Sequence, residues 1–161
     1  MTAAVLTVSD SVTRGEREDL SGPATAALLL QRGFEVVAQR VVADNQHEIE
    51  TALVQLAEQA QLVVTTGGTG IAERDVTPEA TRAVCSRLIE GIPEKIRAAG
   101  LAKTRYAVLS RGVCGVRGAT LILNLPGSPK GAVQSLDAVI DILPHVIDLL
   151  AGKTGHNEDQ P

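Results

Sequence analysis

A chain of 161 residues that is 44% hydrophobic can bury a full core, and it is read as one domain over residues 1–152 with a polar tail at 153–161. Aromatic residues are 1% of the chain, Phe34 and Tyr106 alone, so unpaired bases have no ring platform to stack on. Fifteen Lys and Arg against nineteen Asp and Glu leave a charge of −4, the wrong sign for a phosphate backbone, and nucleic acid is excluded as the expected partner.

From the N-terminus, the apolar run Ala3 to Val8 has no basic start and meets Asp10, which argues against a secretory signal and for a cytoplasmic protein. Being short and rich in apolar residues, it reads as a strand. A helix is expected from Pro23 to Gln31 after Ser21, and Glu35 to Val42 is again a strand, which completes a βαβ unit. Asn45 caps a second helix with apolar positions Ile49, Leu53, Leu56 and Ala60, leading into a third parallel strand from Leu62 to Thr66. Thr77-Pro78-Glu79 starts another helix, and Pro93 to Ala102 a further one after a break at Gly91. Two strands follow, Tyr106 to Ser110 and Thr120 to Leu125, too close in sequence for a helical crossover, so one is expected to run antiparallel at an edge. A helical stretch from Pro129 to about Leu150, bent or broken near Pro144, closes the pattern. Asp141, Pro144, His145 and Asp148 interrupt it short of the roughly 18 apolar residues of a membrane span. The expected architecture is a three-layer α/β/α sandwich with a mostly parallel, mixed sheet.

Cys85 and Cys114 have no metal or redox spacing and read as reduced thiols, and His47, His145 and His156 share no metal-ligand spacing. Chemistry is concentrated instead in two turns. Thr65-Thr66-Gly67-Gly68-Thr69-Gly70 leaves an apolar strand, and its glycines let backbone N–H groups face an anion; taken alone it is equally a tight strand-to-helix turn. It lacks the glycine of the dinucleotide fingerprint, having Glu73 there, and the Gly-Lys-Ser/Thr of a P-loop. The second turn, Asn124-Leu125-Pro126-Gly127-Ser128-Pro129-Lys130, places Pro before Gly as a type II turn does and opens a helix N-terminus. Asp75 is redundant as a cap beside Thr77 and Glu79; Asp10 and Asp44 also sit at strand C-terminal ends, the edge where open α/β sheets bind ligands, although each taken alone reads first as a helix cap. Arg14, Arg111, Arg117 and Lys130 are candidates to neutralise phosphate, or ordinary surface charges.

The ordered set Thr65-Thr66-Gly67-Gly68-Thr69-Gly70, Arg74-Asp75-Val76-Thr77-Pro78-Glu79-Ala80, Ser110-Arg111-Gly112 and Asn124 to Lys130 resembles the MoaB/Mog family of molybdenum-cofactor biosynthesis. The resemblance covers nearly the whole chain and implies molybdopterin adenylyltransferase activity: ATP and molybdopterin as substrates, Mg²⁺, a homotrimer, and a molybdenum insertase as possible partner. Carried over by residue, it implies that Asp44 and Asp75 are the functional aspartates and metal ligands, with Ala43 before Asp44 where the family commonly has Pro. It assigns nucleotide contacts to Thr66, Gly67, Gly68, Thr69 and Gly70, to Ser110, and to Asn124, Pro126, Gly127 and Ser128, and makes Ser9 and Asp10 pterin-side residues. The alternative is a non-catalytic pterin-binding or scaffold protein of the same pathway.

Overall fold

The computed structural model describes residues 1–153; of the expected tail, 154–161 lie outside the described residues. Six strands form one sheet: β1 (Thr2–Val8), β2 (Glu35–Val42), β3 (Leu62–Thr66), β4 (Arg87–Leu88), β5 (Cys114–Arg117) and β6 (Thr120–Leu125), in the order β2-β1-β3-β6-β5-β4. β2, β1, β3 and β6 are parallel, and β5 runs antiparallel to both its neighbours, β6 and β4, as the mixed pattern predicts. β3 and β6 are buried at every residue and β1 at all but Thr2, which is why they read as nearly continuous apolar runs.

Their side chains alternate between two helical layers. Ala3, Val5, Leu62, Val64, Leu121 and Leu123 face one core. It is covered by α2 (Ser21–Gln31), α5 (Gly91–Leu101), α6 (Pro129–Asp137) and α7 (Leu143–Leu150). Ala4, Leu6, Val8, Val63 and Ile122 face the other, under α3 (Gln46–Ala57) and α4 (Thr77–Val84). Ile49, Leu53 and Leu56 on α3 are fully buried, each contributing roughly 1.5–3 kcal/mol of hydrophobic stabilisation. Asn45 caps α3 by accepting from the Glu48 amide, 3.1 Å away. Strands connected through α2 on one face and α3 on the other place β2 and β3 on opposite sides of β1, a chain reversal whose C-terminal end is a ligand crevice. The four-residue α1 (Asp10–Thr13) begins there.

Two expectations need correction. Tyr106 to Ser110 is not a strand: Arg105–Leu109 is a 3₁₀ turn capped by Thr104, with Tyr106, Val108 and Leu109 exposed rather than buried in a sheet. The antiparallel strand is β5, joined to β6 by a two-residue turn in which Gly118 takes the positive φ (57°) that primed hairpin turns need. The C-terminal stretch is broken ahead of Pro144 into two helices, as expected, and Pro144 lies in the first turn of α7, where its missing N–H costs nothing. Gly127 has no positive φ, which rules out the type II turn; it is glycine for space, since a Cβ there would lie 3.2 Å from Gly67 Cα.

Gly67 is the tighter position. With φ at 97°, it passes so close to the end of β1 that a Cβ would stand 2.3 Å from the Val8 carbonyl oxygen, while its amide donates to Leu125 O at 3.2 Å. Gly33 also has positive φ (82°) but nothing within 4 Å of its would-be Cβ. Gly33→Ala should therefore cost only the left-handed strain, about 1–2 kcal/mol, and Gly67→Ala clearly more, because the backbone it meets cannot move aside. Urea denaturation of the pair checks this, and equal losses would mean that the Val8 contact relaxes freely.

Candidate functional site

Two cavities open along the C-terminal edge of the parallel strands. The first, about 650 Å³, lies over the ends of β1 and β2; the second, about 840 Å³, lies between the β3 and β6 loops, α5, α6 and the 3₁₀ turn. Gly68, Asp75, Gly127 and Ser128 line both, so the two glycine turns form a thin partition with a carboxylate on it.

The sequence-predicted residues divide between the cavities. Ser9, Asp10, Asp44, Thr66 and Gly67 line the first, and Thr69, Gly70, Ser110 and Pro126 line the second. Asn124 lines neither. It is buried, donates to Thr65 Oγ1 (3.1 Å) and Thr81 Oγ1 (2.9 Å), and accepts from the Val113 amide (3.2 Å), so its side chain joins β6 to β3, α4 and the segment before β5. Ser128 caps α6, its Oγ accepting from the Gly131 amide at 3.1 Å. A Cβ at Gly131 would stand 2.5 Å from that oxygen, so the cap requires the glycine.

Asp10 and Asp44 lace the ends of β1 and β2 reciprocally: Asp10 N donates to Asp44 Oδ2 (2.8 Å) and Asp44 N to Asp10 Oδ1 (2.9 Å). Burial raises the Asp44 pKa above the ordinary aspartate value, and the charges of Asp10 and Asp75 push the same way; the Asp10 amide and Arg74 oppose it. Asp75 is no helix cap, since α4 has no side-chain cap bond; its Oδ2 accepts from the Ala72 amide at 3.0 Å within its own loop. Gly68 is held beneath by Thr77, whose amide donates to Gly68 O (3.1 Å) and whose hydroxyl donates to Gly67 O (2.9 Å).

Of the cations considered, Arg14 pairs with Glu16 at 2.8 Å on the rim of the first cavity, and Arg117 donates to Val84 O, away from the site. Lys130 is exposed and lines neither cavity. Arg111 is committed to protein groups: Nε donates to Gly70 O (2.7 Å), one terminal nitrogen to Asp75 O (2.6 Å), and the fork to the Glu79 carboxylate (2.5 and 3.3 Å). That pairing holds Glu79 below the usual carboxylate range.

Sequence reasoning missed the floor of the first cavity. Asp19 accepts from Thr7 Oγ1 (2.7 Å) and the Gly22 amide (2.9 Å), and Ser21 shares a 2.9 Å hydrogen bond with Thr66. An Asp three residues ahead of a glycine at a helix start was the available signal. Also missed were Arg97 and Lys103 on the second cavity, which face it from an ordinary-looking amphipathic helix and its end.

Six carboxylates and three guanidiniums line the first cavity, so a phosphate bound near Asp44 and Asp75 needs a cation between. Each aspartate spends one oxygen on a backbone amide and, among the described residues, has no hydrogen bond to the other. Among those residues no cluster of three or more His, Cys, Asp or Glu could hold a metal alone. Two carboxylates with phosphate and water completing the shell suit Mg²⁺, which seldom has an all-protein cage. Burial disfavours the thiolate form of both cysteines, pushing Cys85 up to about 11 and Cys114 to about 12.

The family model described as "Probable molybdopterin binding domain" matches residues 4–145. The chain belongs to the molybdopterin-binding domain family. Within it, a protein named molybdopterin adenylyltransferase from Helicobacter pylori strain J99 is 41% identical over 152 residues, spanning 92% of this chain and 86% of its own. One of the same name from Escherichia coli K12 is 40% identical over 148 residues, 89% of this chain and 75% of its own. The molybdopterin biosynthesis enzyme MoaB from Thermus thermophilus superposes with a TM-score of 0.89 at 51% identity, covering 94% of this chain and 97% of that one. These likenesses bear out the expected family and the α/β sandwich.

For this member of the molybdopterin-binding family, a raised Asp44 pKa means that the folded state binds the proton more tightly than the unfolded chain. Stability from this group is full below the unfolded pKa and lost as pH rises through the folded one. Asp44→Asn keeps an acceptor for the Asp10 amide and removes the charge, so the metal-free variant should melt higher than wild type at neutral pH. The gap should close below about pH 4. A lower melting temperature at pH 7 would show that the ionised carboxylate stabilises the fold.

Proposed function

We propose that this chain is a molybdopterin adenylyltransferase of molybdenum cofactor biosynthesis, transferring AMP from ATP to the terminal phosphate of molybdopterin and releasing pyrophosphate. The observation that carries the reading is the partition: two cavities of different lining meet at Gly68, Asp75, Gly127 and Ser128, where two phosphorylated substrates can bring their phosphates together. The relatives named for this activity support it.

The second cavity, with Ile71, Ile96, Ala99, Ala107 and Leu109 on its walls, suits adenosine held by aliphatic contact. Lys103 and Arg97 beside it favour an anionic ligand. The first cavity, with Ser9, Asp10, Ser11 and Asp19, offers hydroxyls and carboxylates to a pterin rich in N–H groups. A phosphate oxygen of molybdopterin attacks the α-phosphorus of ATP, the bond to the β-phosphate oxygen breaks, and pyrophosphate leaves. The nucleophile is already ionised near neutral pH, so no general base is needed and the chain supplies position. The glycine turns bring backbone close to the phosphates, and α6 directs its N-terminus toward the partition.

Asp44 and Asp75 would hold Mg²⁺, and its contribution when bound is to offset the charge of the two phosphate groups. In this reading Asp44 keeps its charge despite the burial that opposes it, and Asp75 faces both cavities. The proposed catalytic unit is residues 1–152. A homotrimer, a molybdenum insertase receiving the product, and a cytoplasmic setting belong to the same proposal. Solvent exposure of Leu101 and Val108, which line neither cavity, supports an assembly surface, and the two free thiols suit a reducing compartment.

Incubating the pure protein with ATP, Mg²⁺ and molybdopterin should give adenylylated molybdopterin by mass, and excess chelator should abolish it. Bound pterin with no adenylylated product would make this a non-catalytic pterin binder. Asp75→Asn should fold as wild type and lose turnover by about a hundredfold or more, since size is kept and charge is removed. Wild-type turnover in that variant would reduce Asp75 to a loop-forming residue.

A further inference from the structure

We propose that Arg111 is a positioning residue for the transfer reaction: it straps down the Gly70–Asp75 segment and so fixes the Asp75 carboxylate on the partition between the cavities. The inference rests on the adenylyl-transfer reading for its kinetic consequence, though not for the strap itself.

The segment has little else to hold it. Ile71, Ala72, Glu73 and Arg74 are exposed, and the segment's internal bonds are Asp75 N to Ala72 O and Ala72 N to the Asp75 carboxylate. Among the described residues, the hydrogen bonds reaching residues 70–75 from outside come from the Arg111 side chain alone, at Gly70 O and Asp75 O. These are the two ends of the segment, and one guanidinium spans them. The same group is fixed from the other side by Glu79 on the first turn of α4, and its own backbone is anchored where Arg111 N donates to Thr69 O at 2.9 Å. Arg111 and Glu79 are both partly exposed, so their attraction is screened; what the pair supplies is geometry. A planar fork can meet two carbonyls and a carboxylate at once, and an ammonium cannot reproduce that pattern. Arg111 lines neither cavity, so it acts through Asp75 and not on a phosphate.

The carboxylate has little tolerance for drift. A Cβ at Gly70 would stand 2.7 Å from Asp75 Oδ2, so the carboxylate lies against bare backbone, and a displacement of about 1 Å in a reacting site costs on the order of a hundredfold in rate.

The test combines hydrogen exchange on the ligand-free protein with steady-state kinetics for Arg111→Lys, Arg111→Ala and Glu79→Gln. The Ala72 and Asp75 amides should exchange about tenfold faster or more in both Arg111 variants while β3 amides stay at the wild-type rate. The kcat should fall about a hundredfold in Arg111→Ala and at least about tenfold in Arg111→Lys, with an intermediate loss in Glu79→Gln and the KM for ATP within about threefold of wild type. Wild-type exchange and kcat in Arg111→Lys would overturn the proposal, and so would a raised KM at unchanged kcat, which would make the arginine a substrate ligand. Should Arg111→Ala fail to fold, the other two variants decide the matter. A wild-type protein that transfers no AMP would defeat the functional reading, while the exchange data would still judge the strap.

Discussion

Backbone packed directly on backbone is the constraint from which the site follows. Gly67 crosses the end of β1 at a distance that excludes a Cβ, and Gly127 approaches Gly67 so closely that a Cβ would crowd it by a few tenths of an ångström. Because no side chain stands between them, the exits of β1, β3 and β6 converge, and the wall between the cavities is little thicker than the chain itself. Two substrates on either side of such a wall can touch. A bulkier turn would hold them apart and leave two unrelated binding sites.

Charge sets the second condition. The first cavity gathers more carboxylates than guanidiniums and half-buries Asp44 against its own preference for water. The lacing of Asp10 to Asp44 through two amide-to-carboxylate bonds compensates in part and ties the second strand to the first at that edge. In the proposed reaction a cation and phosphates would make the same charges complementary.

Much of this was legible in the sequence because the signals were local. Asn45 as a cap, Pro78 and Pro129 in first helical turns, and the apolar runs of β1, β3 and β6 each announce their element within a few residues. The failures share a cause. Tyr106 to Ser110 has the composition of a strand, but whether a short apolar run is buried depends on what packs over it, and here the hairpin partner of β6 is the plainer Cys114–Arg117. Asn124 sits in a motif rich in cavity-lining residues, yet its donors and acceptor are consumed 11 to 59 positions away along the chain. Arg111 gave the appearance of a free cation because two of its acceptors are main-chain carbonyls and the third, the Glu79 carboxylate, lies 32 positions away along the chain.

Thr65, Thr81 and the Val113 amide satisfy between them one buried amide side chain, that of Asn124, in a layer otherwise filled by aliphatic groups. Replacing any one side chain strands polar atoms on the others in a medium that cannot solvate them. Removing Asn124 leaves the Val113 amide and two threonine hydroxyls without their partner at once, so Thr65, Thr81 and Asn124 act as one unit that ties β6, β3 and α4 together beneath the cavities.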